Sequence, residues 1–407
     1  MTVALWISHS DPNEAVRQLN SELARIYDWA IYNTVYFDAK KFHLCDMGLV
    51  PLPENILETI SFGDFHPSFT EEAPYLGVIW DSELKLVSFM TDQAKKASRM
   101  QFQVLNHARD EVGATPATLH ILFHLYVLPI LIYGCELYIF SLKKYMIYGK
   151  SIRSAYRRAF NKLNKVYMTC ARRILGAPLK TSHNAILVRL GWLPLEYVMM
   201  YRCLILTIKA KRGLSGTAMQ SLFMDIETYR MRNSRLTRIF GPAMVNLNRL
   251  ASYNSFGTNF DVDSMSRVKH TLRDCMYVEL TEIWSRSCVA SVTREIHPKW
   301  HKQVLPNSML SRLSHVRFHC AALNRCPLRK RLALMKKVAS SSCRYGCNAE
   351  ENLNHVLFCC PRVKQQRDAV TKICTKFGFA QNVRNLFTRR QLQFPVEELL
   401  MTFTRTI

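Results

Sequence analysis

The chain has 407 residues, 48% hydrophobic and 21% charged, which is enough apolar material for more than one buried core and too much for a disordered chain. Its 55 Lys and Arg against 31 Asp and Glu leave a formal charge of +24, an excess that self-repels unless an anion meets it; nucleic acid is the leading expected partner and a membrane surface the second. Thirteen cysteines form an odd, scattered set, and no basic stretch followed by an apolar run and a cleavage site opens the chain, so a nuclear or cytoplasmic protein is expected rather than a secreted disulfide scaffold.

Asp11-Pro12-Asn13-Glu14 reads as a helix start, with Asp11 as cap, Pro12 at the first helical position and Glu14 at the capping-box position. Val16, Leu19, Leu23, Ile26 and Ala30 then follow at spacings of three and four, one apolar stripe of a helix. "NTVYFDAKKFHL" is β-branched and aromatic-rich and predicts one or two short strands. "APYLGVIWDSELKLV" predicts a hairpin with Asp81 to Glu83 near its turn. From about Thr91 onward the pattern is helical, so the expected fold is mainly α with a small α+β segment at the N-terminus. Residues 213–216 and 252–258 are the candidate linkers, and no fixed-period repeat is present.

Residues 119–140, "LHILFHLYVLPILIYGCELYIF", meet the ~20-residue length of a membrane span. His120, His124 and Glu136 lie within them, Pro129 and Gly134 interrupt them, and Thr115-Pro116 offers a cap of the soluble kind; a buried helix pair is the preferred reading and no membrane partner is expected. Residues 137–195 contain no Asp or Glu, but they hold Lys143, Lys144, Lys150, Arg153, Arg157, Arg158, Lys162, Lys165, Arg172, Arg173, Lys180 and Arg189. A solvated helix face normally mixes both signs of charge, so this block is the expected RNA or DNA contact, made through phosphates and therefore salt-sensitive. Tyr138, Tyr145, Tyr148, Tyr156 and Tyr167 are interleaved and could stack on unpaired bases. Arg230, Arg232, Arg235 and Arg238 form a smaller cluster.

Near the C-terminus, "CRYGCNAEENLNHVLFCCP" places Cys343, Cys347, His355 and Cys360 at the reach of a closed tetrahedral Zn2+ site. Three thiolates and one imidazole leave no position for water, so the ion would be structural. Such a site can contribute about 10–16 kcal/mol of apparent binding energy to a small fold. Gly346 would let the loop turn, and Cys359 competes with Cys360 as fourth ligand; Cys360 is preferred because it precedes Pro361 and lets Val356 and Phe358 pack inward. The nearby His315, His319, Cys320 and Cys326 have poor spacing for a single site and are read as buried packing.

These residues, from "CRYGC" through "NHVLFCCP", resemble the zinc knuckle near the C-terminus of non-LTR retrotransposon reverse transcriptases. Other segments agree in the same order. "TVALWISHSDPNEAVRQLNSELARIYDWAIYN" is similar to the segment after that family's catalytic Asp-Asp motif, and "FDAKKF" to its next palm motif, whose lysine would fall on Lys41 or Lys40. "PYLGVIWD" is similar to the primer-grip hairpin, which would involve Tyr75, Leu76, Gly77 and Val78. "LYVLPILIYGCELY", "NKVYMTCARRILGAPLKTSHNAILVRLGWLPL" and "RCPLRKRLALMKK" resemble the thumb and the helices before the knuckle. The resemblance implies a palm remnant at residues 1–70, a hairpin with a helical thumb-like domain at 71–215, a helical connector at 216–310, and helices with the knuckle at 311–407. It also implies catalytic aspartates just before the strand that opens this chain, where Met1 stands, and no Asp-Asp dipeptide occurs in the 407 residues. Asp261-Val262-Asp263 is the nearest imitation and reads as a polar loop. After Cys360 the only acids are Asp368, Glu397 and Glu398, a poor basis for a nuclease. The expectation is a nucleic-acid-binding part of an RNA-directed DNA polymerase, without catalytic residues of its own. Mg2+ would enter only with the missing palm, and that half of the polymerase is the implied protein partner. A host-retained binding module and a membrane protein spanning at 119–140 are the rival expectations.

Overall fold

The computed structural model describes residues 4–38, 41–47, 52–108, 113–139, 150–214, 216, 245–254, 257–288, 290–302 and 311–404. They are mostly helical, with one two-stranded antiparallel sheet. The chain forms two compact units, Met1–Asp92 and Gln93–Ile407. The hairpin therefore belongs to the first unit, and the division falls inside helix α3.

In the first unit, helix α1 (Pro12–Tyr32) starts at Asp11, whose side chain accepts from the backbone N–H of Asn13. The capping box does not close. Glu14 is taken by Arg17 and Gln18, and the Asp11 N–H donates to His9 Nδ1 instead. Val16, Leu23 and Ala30 are buried on the expected stripe, with Leu19 and Ile26 packed beside them. Ile60 and Phe62 meet this stripe, beyond the single turn α2 (Glu54–Leu57). Among the described residues of "NTVYFDAKKFHL" the expected strands do not form. Leu44 makes one bridge to Phe69, while Phe37 and Phe42 stack edge-on or tilted around Phe62. Aromatic side chains favour a strand only when a partner strand offers a pleated face, and here the cluster takes them instead.

Strands β1 (Glu72–Tyr75) and β2 (Val78–Asp81) pair with Tyr75 opposite Val78. Their turn is therefore Leu76-Gly77, both with positive φ, a two-residue link whose twist matches the strands. Asp81, expected at the turn, lies at the end of β2. Its carboxylate accepts from the N–H groups of Lys85 and Leu86, guiding the chain into α3 (Val87–Leu105).

The second unit is helical. Helix α4 (Pro116–Leu122) is capped by Thr115, passes through a π-helical turn at Phe123–Val127, and continues as α5 (Leu128–Ile132). Pro129 lacks an N–H and its ring crowds the preceding turn, and the wider turn just before it relieves both. The described residues 119–139 thus hold one interrupted helical path rather than a helix pair, which ends at Gly134 in the left-handed region. Leu119, Phe123, Val127, Leu131 and Cys135, each four apart, are fully buried. Ile121, Leu125, Tyr126 and Tyr133 are exposed on other faces. Pro116–Leu137 is the one described segment long and apolar enough to cross a membrane, with mean hydropathy 1.7.

Helix α6 (Lys150–Leu175) packs against α4, α5, α7 (His183–Leu190) and α11 (Arg312–Ala322). Beyond Gly191, Trp192 stacks on Phe123 with centroids 4.4 Å apart and donates to His120 Nδ1. Helices α8 (Leu195–Lys211), α9 (Met265–Ser285) and α10 (Ser291–Ile296) follow. Trp284 donates to the His297 carbonyl and Trp300 to that of Trp192. The C-terminal helices are α12 (Arg329–Leu334), α13 (Lys364–Phe377), α14 (Val383–Thr388) and α15 (Arg390–Thr404). One hydrophobic cluster joins α11, α13, α14 and α15 around Phe318, Val370, Leu386, Leu399 and Phe403.

Arg189 is buried at the meeting point of these helices. It donates to His319 Nδ1 at 3.1 Å, to His297 Nε2 at 2.9 Å and to the Phe387 carbonyl at 3.2 Å. Burial lowers its pKa to about 10, so it stays charged at neutral pH. Both imidazoles must therefore be neutral to accept. Burial, and then Arg189 itself, pushes each well below its ordinary value of 6.5. Folding thus requires fewer bound protons than the unfolded chain holds. This stability is fully present above pH 6.5 and is lost as pH falls below it. The urea midpoint should therefore drop between pH 7.5 and 5.5, at up to about 1.4 kcal/mol per pH unit for each histidine. H319Q, which keeps an acceptor but cannot titrate, should flatten that slope; an unchanged slope would count against the account.

Candidate metal centre

The centre is assembled from two local devices. The first is a small loop closed by backbone pairing: Ser342 bridges Glu350, and Cys343 N–H donates to the Ala349 carbonyl at 2.8 Å. Within it Gly346 has φ +77, which a side chain would strain, and its N–H donates back to the Cys343 carbonyl. That turn brings Cys347 beside Cys343. The second device is a π-helical turn, His355–Cys359, started by Asn352, whose side chain accepts from the His355 N–H at 2.9 Å. Cys360 leaves this turn extended, its N–H bonded to the His355 carbonyl, and Pro361 opens the next turn, Pro361–Val363.

The ligand atoms of Cys343, Cys347, His355 and Cys360 all lie within 4.8 Å of one another. The Cys347 and Cys360 sulfurs are 3.7 Å apart. Cys343, His355 and Cys360 are buried and Cys347 is half-buried. His355 Nε2 is buried with no hydrogen-bond partner, an arrangement that costs free energy unless something other than a hydrogen-bond donor, such as a metal ion, takes its lone pair. Burial first, and then the neighbouring Cys343 and Cys360 thiols, pushes the Cys347 thiol up to about 12. Three sulfurs this close cannot all ionise unless a cation shares them. The four residues can hold a metal ion, and the donor set fits structural Zn2+, with no open position for water. The competition between Cys359 and Cys360 is resolved by geometry: Cys359 is exposed and outside the cluster. Val356 and Leu357 are the fully buried residues of the π-turn, and Phe358 packs beside them only in part.

The basic block divides into two classes. On α6, Arg157, Arg158, Lys162, Lys165 and Arg173 are exposed and Arg172 is half-buried; Lys180, beyond the helix, is exposed. None of these seven has an ion-pair partner among the described residues. Lys150 and Arg153 lie on the first turn of α6, while Lys143, Lys144, Tyr145, Tyr148 and the Arg230 to Arg238 cluster lie outside the described residues. Arg189 is no surface contact but the buried hub. The stacking expectation fails for Tyr138, Tyr156 and Tyr167, which are buried at 1–2% exposure; Tyr167 donates to the Leu193 carbonyl. A tyrosine on the apolar face of an amphipathic helix is core, whatever its basic neighbours do.

The remaining candidates lie elsewhere. Lys41 is exposed and 3.4 Å from Asp38; Lys40 lies outside the described residues. Of the primer-grip-like residues, Leu76 is exposed at the hairpin turn, Tyr75 is half-buried and Val78 is buried. Asp261 pairs with Lys211, and Asp263 accepts from the N–H of Asn259, so both are committed to a turn. His315, His319, Cys320 and Cys326 are buried in the helical packing, as expected. Sequence reasoning missed Glu351 and Arg344, a bidentate pair beside the candidate ligands in which Glu351 is buried and Arg344 half-buried.

One metal ion per chain is expected by mass spectrometry of the purified protein. C360S should lose it and C359S should keep it; retention in C360S would reverse the ligand assignment. Compared with known protein families, curated proteins and solved structures, the chain matches none.

Proposed function

We propose that this chain is the nucleic-acid-gripping part of a non-LTR retrotransposon reverse transcriptase, comprising the end of the palm, the thumb and the zinc knuckle. The observation that supports this most is the solvent face of α6. Arg158, Lys162 and Lys165 recur at spacings of four and three and form one stripe on the exposed side of the helix. Arg157 and Arg173 flank it, and no carboxylate is paired with any of them among the described residues. Folding would gain by neutralising such a row with acids, as other surface cations of the chain are neutralised: Arg17 by Glu14, Arg202 by Glu136 and Lys330 by Glu350. A row left unpaired suits phosphates, which would release their counterions on contact. Structural Zn2+ is the proposed resident of the Cys343, Cys347, His355 and Cys360 centre, where it holds the C-terminal helices rather than reacting.

The catalytic role is not assigned to these residues. Two-metal phosphoryl transfer needs paired carboxylates, and the 407 residues contain no Asp-Asp. Polymerization by this reading requires a palm supplied from elsewhere, and Lys41 with the Tyr75–Val78 hairpin would then face the primer end.

The test is the salt dependence of binding to single-stranded RNA and DNA. Four phosphate contacts predict a log–log slope near −2.8, or about a 50-fold loss of affinity between 50 and 200 mM salt. Charge reversal of Arg157, Arg158, Lys162 and Lys165 should remove most of that slope. Affinity that ignores salt, or a reversal variant that binds normally, would overturn the reading. Vesicle partition of the same variant separates the membrane alternative, for which Pro116–Leu137 rather than α6 would carry the contact.

A further inference from the structure

We propose that Glu351, which touches no metal-ligand atom of the centre, is its positioning residue: through Arg344 it fixes the Cys343–Cys347 loop so that both thiols meet His355 and Cys360. The inference rests on the metal reading above. Glu351 is completely buried, yet it lies outside the four-residue cluster. Its two oxygens are fully used. Oε1 accepts from the Arg329 N–H at 2.8 Å and from Arg344 Nη2 at 2.6 Å. Oε2 accepts from the Arg344 N–H at 3.0 Å and from Arg344 Nε at 2.9 Å. The main chain of the same residue adds two bonds, its N–H donating to the Ser341 carbonyl and its carbonyl accepting from the Lys330 N–H.

One residue therefore ties three segments: the strand-like stretch before Cys343, the loop residue directly after it, and the start of α12. The loop from 343 to 347 has no regular structure of its own. Apart from Glu351, the Arg344 side chain has one hydrogen bond among the described residues, to the Pro327 carbonyl at 3.3 Å, and it lies over the Phe403 ring. Without the carboxylate, the loop would have to be ordered by the ion itself, and that ordering would be drawn from the binding energy. A carboxylate is specifically required, because four N–H donors converge on it. A glutamine of the same shape offers one oxygen and turns an NH2 toward Arg344, which has no acceptor. The planar fork of Arg344 matters for the same reason, and a lysine would keep the charge but lose the bidentate geometry.

The experiment uses the full chain and the metals alone. Co2+ is bound first for its thiolate charge-transfer band, and Zn2+ affinity is then measured by competition with a chromophoric chelator. E351Q should weaken Zn2+ binding roughly 10- to 100-fold and shift the cobalt band, and R344K should do the same to a smaller extent. L272A removes buried core from α9, outside the cluster that contains Cys343 and Cys360, so it should lower the melting temperature and leave the affinity unchanged. Wild-type affinity in both E351Q and R344K would overturn the proposal. So would an L272A variant that loses metal as readily as E351Q, since Glu351 would then act through stability alone. If E351Q does not fold, R344K decides the matter by the same readings. Failure of the wild-type chain to take up either ion is a different result, and it would remove the metal reading itself together with the clamp built on it.

Discussion

A buried guanidinium with no carboxylate in hydrogen-bond contact among the described residues lies where several helices of the second unit meet. Burying a charge is costly unless it is paired, and the usual partner is an acid. Here acids are scarce, 31 against 55 cations, and at this point the hydrogen bonds go to neutral acceptors, with the buried Glu397 favouring the charge only through its field. Arg189 spends its donors on two imidazoles and a carbonyl. Arg312, also buried, donates to the carbonyls of Ala114 and Arg173. These bonds span more than a hundred residues of sequence, so each arginine ties distant helices together in a way that apolar contact, which has no direction, does not. The cost is that the acceptors must stay neutral. Packing of α7 against α10, α11 and α14 is therefore conditional on the protonation state of His297 and His319.

The segment from Ser341 to Val363 faces a different problem. Its loop and π-turn bury few apolar residues by themselves, and a segment this small gains from a cross-link such as an ion that its four clustered side chains could hold. The segment does not stand apart from the core. Val356, Leu357 and Val363 enter the same cluster as Val370, Leu399 and Phe403. Tyr345 donates to the Phe403 carbonyl at 3.1 Å, while Arg344 lies over the Phe403 ring and Arg362 over Tyr345. The metal loop is thus fastened to the end of α15, and order in the four ligands and order in the last helix are linked.

How much of this could be read from the sequence depends on the distance over which each cause acts. The clustering of Cys343, Cys347, His355 and Cys360, which could hold a metal ion, was legible because thiols and imidazole at short spacing carry their chemistry with them, and the preference for Cys360 followed from Pro361 beside it. The start of α1 was legible for the same reason, since Asp11 and Pro12 act on the next turn. The hairpin turn was misplaced because Asp81 is a good turn residue that caps backbone N–H groups after the strand, while the smaller signal, Gly77, set the actual turn. The strands expected near Phe37 and Phe42 were lost to a cluster around Phe62, twenty and more residues away. Arg189 was counted as surface charge because nothing within α7 announces that His297, His319 and Phe387 will converge on it.

The tyrosines and cations of α6 show why composition alone misled at one point and not at another. A block rich in Lys, Arg and Tyr suggested charge and stacking acting together on one face. The helical period separates them: Tyr156, Leu163, Tyr167, Cys170 and Ile174 turn inward, and Arg158, Lys162 and Lys165 turn outward. The inner residues seat the helix on α4, α5, α7 and α11, so the cations stand on a rigid support. A row of charge on a fixed rod differs from the same charge on a mobile tail, because its spacing is set before any partner arrives. Under the proposed function, that constraint would suit an anion with a regular backbone and would read charge rather than bases. Base selectivity, if this surface has any, has to come from residues other than Tyr138, Tyr156 and Tyr167.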